Sequence, residues 1–101
     1  MRRVYISGPI SNNPKFKEDF RKVREQWEET DYTVIDPSYL IDVFPGGTHE
    51  QYMKICMELL KMADLVYMMD GWENSKGAII EYGYALSHGI ETTKRVRRKA
   101  I

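Results

Sequence analysis

The sequence is poor in the residues that most often announce a chemistry. It has one cysteine and two histidines. A lone cysteine, Cys56, excludes an internal disulfide and suits a reducing compartment, so the cytoplasm is the expected location. Cys56 falls within an apolar helical pattern and reads as core, not as a nucleophile. His49, His88 and Glu50 have the spacing of no common metal site. There is no Gly-x-Gly-x-x-Gly and no Gly-Lys-Ser/Thr, which removes the dinucleotide fingerprint and the P-loop. No metal and no redox cofactor is expected. No apolar run approaches the roughly 20 residues that cross a bilayer. The apolar stretch after Arg2 and Arg3 is too short for a signal peptide, so no membrane partner is expected.

Charge of one sign is also missing, since fifteen basic residues balance fifteen acidic ones. The balance hides an asymmetry. Lys94, Arg95, Arg97, Arg98 and Lys99 lie in the last eight residues, without an acid among them. Residues 94–101 therefore read as a basic tail on a mildly acidic body, residues 1–93. Such a tail can touch nucleic acid. The plainer reading, a solvated terminus, is preferred, and no nucleic-acid partner is expected.

The 101 residues suffice for one domain. Val4-Tyr5-Ile6 is a β-prone run ended by Ser7-Gly8-Pro9. Phe16, Phe20, Val23 and Trp27 then make one apolar stripe at helical spacing. Tyr32 to Ile35 reads as a second strand, stopped by Asp36-Pro37, and a loop through Phe44-Pro45-Gly46-Gly47 follows. Thr48 and Gln51 have the spacing of a capping box, and the helix they open runs to about Ala63. Leu65 to Met69 is apolar throughout, so both faces of that strand should be covered. A third helix spans about Ser75 to His88, and Ile90 to Val96 is a weak edge strand. This alternation predicts an α/β, Rossmann/flavodoxin-like three-layer sandwich, with a small parallel sheet of three to four strands and helices on both faces.

In open α/β sheets ligands bind beyond the carboxyl ends of the strands. That rule selects Ser7-Gly8-Pro9-Ile10 and the segment Asp70 to Gly77. The third helix is apolar nearly all round, the pattern of a buried helix. Only Lys76 and Glu81 are ionisable between Ser75 and Leu86. Lys76, in the first turn, reaches water. Glu81 lies deeper, with the small residues Gly77, Ala78 and Ala85 beside it. A carboxylate in such a place is costly unless paired or useful. Solvent exposure or an arginine partner is the plain alternative.

Two segments carry a resemblance. Val4-Tyr5-Ile6-Ser7-Gly8-Pro9-Ile10 is similar to the opening of the nucleoside 2-deoxyribosyltransferase superfamily. Asp64 to Trp72, followed by Ser75-Lys76-Gly77-Ala78-Ile79-Ile80-Glu81-Tyr82-Gly83-Tyr84-Ala85, resembles its second signature, a strand and loop before Gly-x-x-x-Glu-x-Gly-x-Ala on a helix. The Gly-Trp-x-x-Ser-x-Gly-Ala run most resembles short relatives common in bacteria and their phages. The match covers about 90 residues.

The resemblance implies cleavage of an N-glycosidic bond in a nucleoside or nucleotide. Glu81 matches the glutamate that attacks C1′ of the deoxyribose and displaces the base. The glycosyl ester then passes to another base or to water. Tyr5 matches a strand tyrosine near that nucleophile. Asp70 stands where relatives often place an acid, and as a catalytic group it would supply or hold a proton; in Asp70-Gly71 it is equally a turn residue. Trp72 would stack on a base or pack beneath the loop. Ser75 stands six residues before Glu81. There the transferases commonly carry an aspartate, whereas the relatives that hydrolyse 2′-deoxynucleoside 5′-phosphates carry a serine. Ser75, Lys76, Gly77 and the Ser7 hydroxyl would then take a phosphate, although Ser75 equally suits a helix cap. The transferases are longer, and a neighbouring subunit completes their pocket, so here the pocket is expected to be open or completed differently. A non-catalytic nucleotide-binding or sensing module is the alternative.

The second helix, Thr48 to Ala63, adds an assembly expectation. Tyr52, Cys56, Leu59 and Ala63 form one stripe, and Met53, Met57 and Leu60 a second. The apolar arc spans roughly 220°, against the ~100° that one sheet contact needs. The surplus is Met-rich and suits a homo-oligomer contact.

Overall fold

The computed structural model describes residues 1–98. Four strands, β1 (Arg3–Ser7), β2 (Thr33–Ile35), β3 (Leu65–Met68) and β4 (Glu91–Thr93), form one sheet in the order β2-β1-β3-β4. Every pairing is parallel, with Tyr5 of β1 opposite Ile35 on one side and Val66 on the other. The helices are α1 (Phe16–Glu28), the short α2 (Leu40–Val43), α3 (His49–Leu60) and α4 (Lys76–Ser87). The architecture is the expected Rossmann/flavodoxin-like α/β sandwich. No helix among the described residues is long and apolar enough to cross a membrane.

Strand alternation sorts the core into two sides. Val4 and Ile6 face α1, where Phe20 and Trp27 bury the stripe read from the sequence. Tyr5 points the other way, with Val66 and Met68, against Cys56 and Leu60 of α3 and Ala78 and Ala85 of α4. Both inner strands are thus covered on both faces, as the continuous apolar run of β3 requires. The strand order reverses between β1 and β3, so their connections leave in opposite directions and open a crevice at the carboxyl ends.

The stretch after β2 departs from the expected loop. Asp36 accepts a hydrogen bond from the Ser38 N–H at 2.8 Å and starts a 3-10 turn at Pro37–Tyr39 that runs into α2. Asp36-Pro37-Ser38 is both a strand stop and a helix start, with a capping side chain and proline at the first helical position. Arg24 of α1 reaches Asp36 at 2.7 Å and lies over the Tyr39 ring, fixing this segment to the body.

α4 is not buried all round. Ala78, Glu81 and Ala85 make its buried stripe, while Ile79, Ile80 and Leu86 are 48%, 44% and 58% exposed. Its small residues bring the backbone close to the sheet, and its large apolar residues point outward. The segment after β4 is not a free tail up to Arg98. Val96 packs on the Val4–Trp27–Leu65 cluster, Arg97 pairs with Glu91, and Arg98 pairs with Glu29. Lys99, Ala100 and Ile101, the end of the proposed basic tail, lie outside the described residues.

Candidate functional site

A cavity of about 620 Å³ opens at the carboxyl end of β1, between the α3 and α4 N-termini and the Pro37–Ile41 segment. Its polar lining includes Tyr5, Ser75, Lys76 and Glu81, and its apolar wall includes Ile10, Pro37, Leu40 and Ile41.

Among the described residues Glu81 is the one acidic side chain that is both buried and part of the lining. Its residue is 5% exposed, yet it lines the cavity. Neither a solvent-facing carboxylate nor an arginine partner describes it. Two hydroxyls hold it instead. Tyr5 Oη donates to Oε2, and Ser7 Oγ donates to Oε1 at 2.7 Å. Both donors come from β1 at a spacing of two, which is why they share one face of the strand. Burial raises the Glu81 carboxyl to about 7, while the Tyr5 and Ser7 hydrogen bonds act in the opposite direction. Burial, and then the nearby Glu81 charge, push the Tyr5 phenol well above its ordinary value. Near neutral pH this pair therefore keeps a phenol protonated beside a carboxyl poised between its two forms.

The other sequence candidates divide. Gly8, Ile10, Ser75, Lys76 and Gly77 line the cavity with Tyr5 and Glu81. Gly8 is required by contact, since a side chain there would meet Met69 Cβ at 2.8 Å. Ser75 caps α4, its Oγ accepting from the Ala78 N–H at 3.2 Å. Ser7 lies fully buried behind Glu81 with its hydroxyl proton committed there, so it does not join an anion site at the α4 start.

Pro9, Asp70, Gly71 and Trp72 are not part of the cavity lining. Gly71 turns the chain with φ +82°, and Asp70 before it is exposed. Burial, and then the Asp70 charge, raise the phenol of Tyr67, whose ring packs on the α1 side of the sheet. Trp72 packs against Tyr82 at 4.6 Å between ring centroids, with the Lys94 ammonium over its ring. Trp72 thus packs beneath the loop, one of the two roles the sequence allowed it.

Sequence reasoning missed His49, Tyr52, Met53 and Cys56 of α3 as lining residues. The signal was present in the stripe beginning at Tyr52. A helix crossing between parallel strands runs antiparallel to them, so its N-terminal turns lie at the ligand end of the sheet. Cys56 is buried beside Tyr5, and desolvation raises its thiol to about 11, which keeps it protonated and unreactive. Among the described residues no group of three histidine, cysteine or acidic side chains is arranged to hold a metal.

The family described as "Domain of unknown function (DUF4406)" matches residues 2–94. No curated protein matches the sequence. Among solved structures the fold is similar to a "2-desoxiribosyltransferase from Leishmania mexicana", with a TM-score of 0.71 and 18% identity. The superposition covers 91% of this chain and 62% of that one, so this chain spans less than two thirds of that protein. At this identity the likeness is one of fold.

Proposed function

The chain belongs to the DUF4406 family, and from the site it carries we propose that it breaks an N-glycosidic bond in a deoxynucleoside or its 5′-monophosphate, with Glu81 as nucleophile. The observation that carries the reading is a buried carboxylate at the cavity wall, gripped on both oxygens by hydroxyls and paired with no cation among the described residues. A positively charged partner would neutralise such a group. Two neutral donors hold its geometry and leave it able to attack an electron-poor carbon. The fold likeness to a 2-desoxiribosyltransferase supports the same class of chemistry.

In this reading one Glu81 oxygen bonds to C1′ as the C1′–N bond breaks. The bonding pair leaves with the base, whose nitrogen takes a proton from water at the open mouth. Water or a second base then attacks C1′, giving its proton to the hydroxide left by the first step, and the ester C–O pair returns to Glu81. Tyr5 and Ser7 orient the carboxylate, and Asp70 has no part.

The start of α4 supports a monophosphate as the ligand. The Ser75 N–H is already given to the Trp72 carbonyl. Lys76 and Gly77, however, stand in the first turn of α4, where helix N–H groups lack intrahelical acceptors, and they add the helix dipole and an ammonium at the rim of the cavity. A homo-oligomer is part of the proposal. The half-buried Met53 and Met57 of α3 form an open groove with exposed Ile80 of α4, edged by Glu50, Lys54, Glu58 and Lys76. The test is incubation with deoxynucleosides and their 5′-monophosphates, followed by chromatography for free base. Release is expected. Binding without release, at high protein concentration and long times, would make the chain a nucleotide-binding module instead.

A further inference from the structure

The outer wall of the cavity, residues 37–47, contributes Pro37, Leu40, Ile41 and Gly47 to the lining. Its base is anchored by Arg24 on Asp36, and its middle by Lys17 on Asp42 at 2.7 Å between exposed side chains. Its far end is the turn Phe44-Pro45-Gly46-Gly47, which carries Gly46 at φ +80°. Among the contacts of that turn, one side chain does two things at once. Tyr52 Oη donates to the Phe44 carbonyl at 2.6 Å and accepts from the Gly47 N–H at 3.0 Å. The hydroxyl thereby closes the two ends of the turn with its one proton and a lone pair. The Tyr52 ring meets Phe44 edge-on at 5.9 Å. A side chain at Gly47 would come within 2.9 Å of the Tyr52 Cζ and 3.0 Å of the Phe44 ring, so the turn and the ring fit only because residue 47 is glycine.

Tyr52 itself lines the cavity from the first turns of α3. It therefore ties the wall formed by residues 37–47 to the element that carries the opposite side of the mouth. We propose that Tyr52 is a positioning residue, whose hydroxyl holds this wall at the width that admits ligand. It touches no reacting atom in the proposed chemistry, and its effect falls on binding. Only the kinetic arm of this inference rests on the proposed glycosidic activity.

Tyr52→Phe keeps the ring and its packing and deletes both hydrogen bonds. The Gly47 amide, protected in the wild-type protein by the Tyr52 oxygen, should exchange with solvent faster by about tenfold or more, since net hydrogen bonds of this kind are worth roughly one such factor each. With a deoxynucleotide that yields free base, KM should rise about tenfold while kcat stays within about twofold, the signature of lost binding and not of lost chemistry. Unchanged exchange at Gly47 would overturn the inference whatever the kinetics, and so would a fall in kcat at constant KM. If the wild-type chain releases no base, the proposed activity fails, and exchange at Gly47 alone decides the role of Tyr52.

Discussion

A carboxyl near pKa 7 is a specific kind of nucleophile. Burial disfavours the Glu81 anion, and two hydroxyl donors recover part of that loss. The charged form is the one that attacks, so activity should rise with pH and level off above about 7. Tyr5→Phe removes the donor to Oε2. Because that bond lowers the Glu81 value, its loss raises it, and the rising limb of the pH–rate profile should move to higher pH. A limb that stays in place in the Phe variant, or moves to lower pH, would show that Tyr5 does not stabilise the anion. That Tyr5 and Ser7 share a strand face follows from alternation, but the sequence set Tyr5 beside Glu81 only through the resemblance and assigned Ser7 to a phosphate, whereas its hydroxyl holds Glu81. The place of Asp70 was not legible, because a turn residue at a strand end points to either face of the sheet according to the backbone torsions that follow it. Here Gly71 at φ +82° follows, and Asp70 is exposed outside the cavity lining.

At the scale of elements, α4 has two jobs that share few residues. Its inner stripe, Ala78, Glu81 and Ala85, is small enough to bring the carboxylate to the sheet. Its N-terminus presents Ser75 and Lys76 to the cavity. A helix start favours an anion there, and an acid at position 75 would oppose one. In a Glu81→Gln background, Ser75→Asp should weaken 5′-monophosphate binding by about tenfold or more while leaving free-nucleoside binding nearly unchanged. Aspartate also caps helices well, so the fold is preserved. Equal loss for both ligands, or no loss for the monophosphate, would remove phosphate from the account. The capping box at Thr48 and Gln51 was legible, and both of its hydrogen bonds form. The α2 segment was not legible, because four residues are too few to show a period and Asp36-Pro37 also ends a strand.

For the whole molecule, the order β2-β1-β3-β4 sets the crevice, and every functional candidate follows from where chain segments meet its edge. The parallel α/β alternation could be read from the sequence, and the small residues beside Glu81 marked it as a candidate for burial, with exposure or an arginine partner left open. The cavity wall could not be read, because it depends on how α3 and residues 37–47 pack together over the strand ends. The outward apolar residues of α4 bear on assembly. Ile79, Ile80 and Leu86 are exposed in the single chain, and Ile80 shares a groove with Met53 and Met57. Light scattering at micromolar concentration should find a dimer or larger oligomer, and Met57→Glu with Ile80→Glu should return it to monomer. A monomeric wild-type protein would contradict that assembly. The central claim concerns Glu81 and is tested most directly by base release from a deoxynucleotide, measured side by side for the wild-type protein and Glu81→Gln at matched fold. The account predicts release by the wild type and a loss of about 10²-fold or more in the variant, since each ~1.4 kcal/mol of lost transition-state stabilisation is a factor of ten. Equal rates in the two proteins would contradict it.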